Sequence, residues 1–275
     1  DEKIGGGMKD GDLVIVAGRP SMGKTAMMCN MSANICRERG KVLFFSSEMD
    51  QDKLIHRMVC SEARVSAVAA WKGAVDNEDC DKLVAAQNEI VGWDMWIDDT
   101  SGIDISSLVV KATAMHASKG LSAVVVDYVQ MIQPGRRVVD MREAITHIVA
   151  SLKRLARSLG IPVIVGCQIS RQSESRRSKM PMLADMKEAG KIEEDADLVM
   201  ALYRKEVYAK EENKEKASGV ADVLILKNRN GPTGRVELYY AKRMMRFENL
   251  AKQVELPEPD LAPDTPPQSS QIDAF

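Results

Sequence analysis

Short runs dominated by apolar, mostly β-branched residues alternate along this chain with longer stretches in which apolar residues return every three or four positions. The runs at 13–17, 42–46, 94–98, 123–127, 162–167, 198–203, 220–227 and 234–240 have strand length and are rich in β-branched residues. Between two of them, Met141, Ile145, Ile148, Leu152, Leu155 and Leu159 mark one face of a helix, with Lys153, Arg154 and Arg157 expected on the other. Ile105, Leu108, Val109, Ala112 and Met115 repeat the pattern. Strands alternating with helices predict βαβ units: an α/β fold with a mostly parallel central sheet covered by helices on both faces. The last two runs flank "KNRNGPTGR", whose Asn, Gly and Pro predict a turn and hence a C-terminal antiparallel hairpin.

From about residue 255 the pattern ends and Pro, Asp, Ser and Gln dominate, a composition that buries too little apolar surface to offset chain entropy. The expected organisation is one domain over residues 1–250 and an acidic, Pro-rich disordered tail over 251–275. The formal charge of −2 is unevenly spread, because the tail holds five acids against one Lys and leaves the domain slightly basic. Such a balance does not by itself point to nucleic acid, although Arg136 with Arg137, and Arg171, Arg176, Arg177 and Lys179, form local basic clusters.

The five cysteines make no C-x-x-C pair, which predicts reduced thiols in a cytoplasmic setting, without disulfide or zinc. His56, His116 and His147 show no metal-ligand spacing. No apolar run approaches the ~18 residues that would span a bilayer, so no membrane partner is expected. Trp71, Trp93 and Trp96 are expected to pack internally. The chain opens on Asp1 and enters at once a Gly5-Gly6-Gly7 turn, as a fragment following another domain would.

Candidate chemistry begins directly after the first run. "GRPSMGKT" meets the spacing G-x-x-x-x-G-K-[ST] with Gly18, Gly23, Lys24 and Thr25, between a predicted strand and a predicted helix. Such a loop turns successive N–H groups, here from Ser21 and Met22 through Ala26, onto phosphate oxygens, and the helix adds its positive end. Lys24 would reach the β- and γ-phosphates of a nucleoside triphosphate, and Thr25 would hold Mg²⁺. The alternative is a chance glycine turn.

Asp127 closes the run "AVVVD" and would supply the second metal carboxylate, or merely cap the next turn. Glu48 follows another strand at the same edge, where open α/β sheets bind ligands. It would activate water as a general base, or act as a capping-box acid for a helix starting near Asp50. Gln168, after "VIVGC", would contact the γ-phosphate, or be a solvated loop amide.

"GDLVIVAGRPSMGKT", "FFSSEM", "VVVDYVQMI", "VIVGCQISR", "ADMKEAGKIEEDADLVMALYRKEVY" and "LKNRNGPTGRVELYY" together resemble the motor domain of bacterial and phage replicative DNA helicases of the DnaB type, in order from Gly11 to Asn249. The resemblance implies a RecA-like P-loop fold, ATP and Mg²⁺ as cofactors, and a homo-hexameric ring moving on single-stranded DNA in bacterial cytoplasm, phage-encoded or not. It implies a primase and a helicase loader as partners. By matching motifs, Lys24 and Thr25 become the phosphate and metal residues, Asp127 the second metal residue, Glu48 the catalytic base and Gln168 the sensor. Lys227 and Arg229 would reach the γ-phosphate held by a neighbouring subunit; from local pattern alone they read as solvated hairpin charges.

The matching DNA-contacting loop is Lys187, Glu188, Ala189 and Gly190. Many relatives have Arg where this chain has Lys187, which turns a bidentate phosphate contact into a point-charge one. The residues alone read equally as surface charge at a helix start. Aromatic residues form only 4% of the chain and do not interleave with the basic loops, which favours backbone tracking over base stacking. The rival readings are a RecA- or clock-type ATPase and an assembly module that nucleotide merely stabilises. The tail's apolar tip, Ile272 to Phe275, reads as a plain terminus or as a docking peptide.

Overall fold

The computed structural model describes residues 2–170, 174, 176, 178–208 and 219–250, with backbone only at 2 and 187–189. The expected tail at 251–275, and most of the basic segment 171–179, lie outside the described residues.

Six strands form the parallel part of one sheet: β1 (Leu13–Gly18), β2 (Val42–Ser46), β3 (Met95–Asp98), β4 (Ala123–Asp127), β5 (Val163–Gln168) and β6 (Leu198–Tyr203). Antiparallel β7 (Val220–Asn228), β8 (Gly234–Ala241) and β9 (Arg246–Asn249) extend it, giving the order β3-β2-β4-β5-β1-β6-β7-β8-β9. The predicted hairpin is β7–β8, but it does not close the domain, because β9 pairs with β8 from Leu238↔Asn249 to Ala241↔Arg246.

The helices are α1 (Lys24–Arg37), α2 (Gln51–Ala63), α3 (Ala67–Trp71), α4 (Asn77–Val91), α5 (Ile105–Lys119), α6 (Met141–Leu159) and α7 (Gly190–Asp195). Every residue of β1 is buried, as a strand covered on both faces requires. Its side chains alternate between two cores: Leu13, Ile15 and Ala17 join Leu108 of α5, Ile148 and Leu152 of α6 and Ile192 of α7, while Val14 and Val16 join Met27 and Met28 of α1 and Leu54 and Met58 of α2. Asp104 and Asp140 cap α5 and α6 by accepting backbone N–H bonds.

Two expectations are corrected. Lys153 does not face solvent: it is buried on α6, where its ammonium donates to Asp197 Oδ2 at 2.5 Å and to the Gly11 carbonyl at 2.9 Å. It adjoins the apolar stripe, and Asp197, at the start of β6, supplies the counter-charge. Trp71 is not a packing residue. It is 68% exposed at the end of the one-turn helix α3, where its ring meets the edge of His56, ring centroids 5.2 Å apart. Trp93 and Trp96 do pack, half-buried, against the two cores.

Candidate functional site

Gly18, Ser46, Asp127 and Gln168 end β1, β2, β4 and β5 on one edge of the sheet, with Ser46 opposite Asp127 and Gly18 opposite Gln168. Above them opens a cleft of ≈ 740 Å³, lined by Ser21, Gly23, Lys24, Thr25, Ala26, Glu48 and Gln168, with Arg19, Arg57, Arg204, Lys242 and Arg243 on its walls. One carboxylate among six cations suits it to a polyanion.

The loop from Gly18 to Lys24 reverses through Ser21 at φ 68° and Gly23 at φ 96°. A side chain at Gly23 would be strained by that φ and would lie 2.9 Å from the Phe247 ring, so the position requires glycine. Gly23 also precedes α1 without any side-chain cap, which leaves the first N–H groups of this 14-residue helix open to an anion. Met22 is buried and anchors the loop in the core.

Thr25 Oγ1 donates to Asp127 Oδ2 at 2.5 Å, and Lys24 Nζ lies 3.7 Å from Asp127 Oδ1 and 3.9 Å from the centre of the Tyr128 ring. Asp127 is 2% exposed, and its Oδ1 accepts no hydrogen bond; the nearby buried Ser47 Oγ is likewise without a partner. Orphaned oxygens at this depth cost free energy unless a cation or its waters complete them. The all-oxygen set of Thr25 and Asp127 suits a hard divalent ion.

Glu48 stands exposed in the cleft while α2 begins at Gln51 behind Asp50, so it is not a capping-box acid. The Tyr128 hydroxyl is pushed up by burial, then by the charges of Glu48 and Asp127, which sets all three in one electrostatic neighbourhood. Gln168 is held from behind: Gln130 accepts from its N–H at 3.2 Å and donates to its carbonyl at 3.0 Å. The side-chain amide of Gln168 is thereby left for the cleft.

Lys227 and Arg229 are not brought to this cleft. Lys227 Nζ donates to the carbonyls of Glu193 at 2.5 Å and Glu194 at 3.1 Å, and Arg229 donates to the Glu194 carbonyl at 2.5 Å and to Asp197 Oδ1 at 3.1 Å. They thus cap the C-terminal end of α7 beside Leu13, where β1 starts. The phosphate loop lies at its far end, about 17 Å away at ~3.3 Å per residue. Gly190, exposed, starts α7; Lys187 and Glu188 belong to the preceding 3-10 helix Leu183–Ala189. That helix touches β5's extension through Ser170 N–H donating to the Asp185 carbonyl at 3.4 Å, and Arg176 pairs with Asp185 at 2.6 Å.

Sequence reasoning missed Gln130, Arg57, Arg204, Lys242 and Arg243. Gln130 stood two residues past the quoted Asp127-Tyr128 and Arg204 within "LYRKEVY", but no spacing rule marks either.

The model of the DnaB-like helicase C-terminal domain matches residues 1–249. The chain belongs to this family. This DnaB-like domain is 38% identical over 257 residues to the replicative DNA helicase DnaB of Geobacillus stearothermophilus, an alignment covering 92% of the chain and 56% of that helicase. It is equally similar to the replicative DNA helicase DnaC of Bacillus subtilis. Among solved structures, the ATPase domain of G40P superposes with a TM-score of 0.84 at 33% identity, covering 89% of this chain and 87% of that one. A DnaB-like replicative helicase studied for its interactions with primase gives 0.83, also at 33% identity, covering 88% and 58%. The DnaB-like domain therefore spans about half the length of the curated relatives it matches. No described helix is long and apolar enough to cross a membrane.

Proposed function

We propose that this domain is the ATP-driven motor of a replicative DNA helicase, hydrolysing ATP at the seam between copies of itself and moving along single-stranded DNA as a hexameric ring in bacterial cytoplasm. The observation that carries the reading is the division of one catalytic set between two edges of the sheet. Lys24, Thr25, Asp127, Glu48 and Gln168 gather at one edge, while the two cations that complete such a set stand on the other, beside Asp197. A cation about 17 Å from its own cleft serves a cleft only on another copy.

In this reading the N–H groups of Ser21 to Ala26 and the ammonium of Lys24 hold the α-, β- and γ-phosphates. Thr25 and Asp127 would hold Mg²⁺, which would offset charge on the transferring phosphoryl group. Glu48 takes a proton from the attacking water, and the Gln168 amide orients the γ-phosphate. Arg229 and Lys227 of the adjacent copy neutralise charge that builds on the transferring group, a contribution of about 10³–10⁵ in rate for such fingers.

Coupling to DNA follows the segment 183–195. It touches the strand of Gln168 at one end, through Ser170 and Asp185, and is capped by Lys227 and Arg229 at the other. Lys187, Glu188 and Gly190 lie between these ends and contact the DNA backbone, which suits a motor indifferent to sequence. A primase and a loader are the expected partners of the whole protein. ATP hydrolysis, measured with and without a homopolymeric single strand over a range of protein concentrations, tests the reading. Stimulation that grows with concentration supports it, and turnover indifferent to both DNA and dilution refutes it in favour of an isolated ATPase.

A further inference from the structure

Arg204 follows the last residue of β6 and is 3% exposed, although it is a cation. Its Nη1 donates to the carbonyl of Ser21 at 2.8 Å, its Nη2 pairs with Glu206, and its guanidinium carbon lies 4.4 Å from the centre of the Tyr240 ring. The second oxygen of Glu206 accepts the Gly219 N–H at 2.9 Å, so the pair is anchored to the start of β7. Tyr240 in turn packs on Phe247, ring centroids 4.5 Å apart, and Phe247 closes over Gly23. The Phe247 N–H donates to Asn30 of α1 at 2.8 Å. The antiparallel extension thus backs the phosphate loop from Ser21 to the first turns of α1.

Burying a guanidinium costs several kcal/mol of lost hydration, and an apolar side chain of similar volume would serve stability as well or better. The charge has a use at the carbonyl it binds. Ser21 occupies the left-handed region at φ 68° without being glycine. A carbonyl there that swung into the cleft would repel a phosphate, and one held outward leaves the following N–H groups facing in.

We propose that Arg204 is a positioning residue of the nucleotide site, fixing Ser21 so that the loop is shaped for phosphate before the ligand arrives. The inference rests on the nucleotide reading above. Because the loop would cradle phosphates common to ATP and ADP, loss of Arg204 weakens both by the same factor, whereas loss of a γ-phosphate contact weakens ATP alone.

The test uses N-methylanthraniloyl-labelled ATP and ADP, with steady-state hydrolysis and thermal unfolding alongside. The variants are Arg204→Met combined with Glu206→Gln, which leaves no unpaired carboxylate, and Arg204→Lys. The double variant is expected to bind both nucleotides about tenfold or more weakly, by one factor, with KM raised more than kcat is lowered. Arg204→Lys, which retains a donor but not the planar fork, is expected to fall between it and wild type. Unchanged affinities in a folded double variant overturn the proposal, as does a loss confined to ATP. If the double variant does not fold, wild-type affinity and KM in Arg204→Lys overturn it. A wild-type chain that binds neither nucleotide refutes the nucleotide reading and this inference together.

Discussion

Replacing Gly166 by Ala strikes Asp127, the carboxylate proposed above to hold the metal, without touching it chemically. A Cβ at this position in β5 would stand 2.9 Å from Asp127 Oδ1, 3.1 Å from Met28 Cε and 3.2 Å from Tyr128 Cβ. Met28 is a flexible side-chain end and can yield; a carbon 2.9 Å from a carboxylate oxygen cannot stay, so Asp127 must turn. Two terms set the effect on stability. Alanine is favoured over glycine within a strand by about 0.5–1 kcal/mol, and overpacking costs about 1–3 kcal/mol. The two terms nearly cancel at one extreme and leave crowding ahead by about 2.5 kcal/mol at the other, a fall of at most about 10 °C in Tm for a domain of this size. The larger effect is on chemistry. Turning Asp127 breaks its 2.5 Å bond with Thr25, and disturbing the support of a metal ligand costs about 10–100-fold in metal affinity. Hydrolysis titrated with MgCl₂ at fixed ATP should therefore need at least about tenfold more metal for half-saturation. Gly234→Ala, where an added Cβ meets nothing within 4 Å, should match wild type. Wild-type Mg²⁺ dependence in a folded Gly166→Ala variant would refute the assignment of Asp127 to the metal.

Glu48→Gln should bind labelled ATP as wild type does and lose about 10²–10⁴ in turnover; near-normal turnover removes Glu48 from the role of base. Burial alone would raise the Asp197 carboxyl, but hydrogen bonds from Lys153 and the Leu13 N–H, with the charges of Lys153 and Arg229, hold it below the usual range. Because the folded value is lowered, its contribution is complete above the ordinary value of 3.8 and is lost as pH falls through the folded one. Asp197→Asn, which strands the buried Lys153 ammonium, should cost about 3–5 kcal/mol in urea unfolding at pH 7. The gap to wild type should narrow below pH 3.8, and a gap constant down to pH 3 would show that the carboxylate charge is not its source.

Much of the architecture was legible because buried parallel strands are written as short apolar, β-branched runs; eight of the nine strands fell on predicted runs, although β8, "GRVELYYA", interleaves polar residues as a half-exposed strand does. β9 did not: "RFEN" carries one apolar side chain and is a strand only because β8 offers it an edge. The Lys24, Thr25, Asp127 and Glu48 cluster was readable from local chemistry, since each sits at the end of a run or in a spaced motif. What failed were contacts between residues far apart in the chain. Lys153 reads as a solvent-facing lysine until Asp197, 44 positions on, is placed beside it. Arg204 gives no local sign that it meets Ser21 across 183 positions. Trp71 misled because size suggests burial, whereas the one-turn helix beneath it offers no core.

The claim that hydrolysis happens between copies is tested most directly by mixing two inactive variants. Lys24→Ala spoils the cleft and Arg229→Ala spoils the opposite edge, so neither alone should show DNA-stimulated turnover. Mixed rings contain seams where an intact cleft meets an intact Arg229, and the account predicts that ATP hydrolysis returns in proportion to such seams, peaking near equal amounts. Mixtures as inactive as their components at every ratio, with exchange of subunits verified, would contradict it.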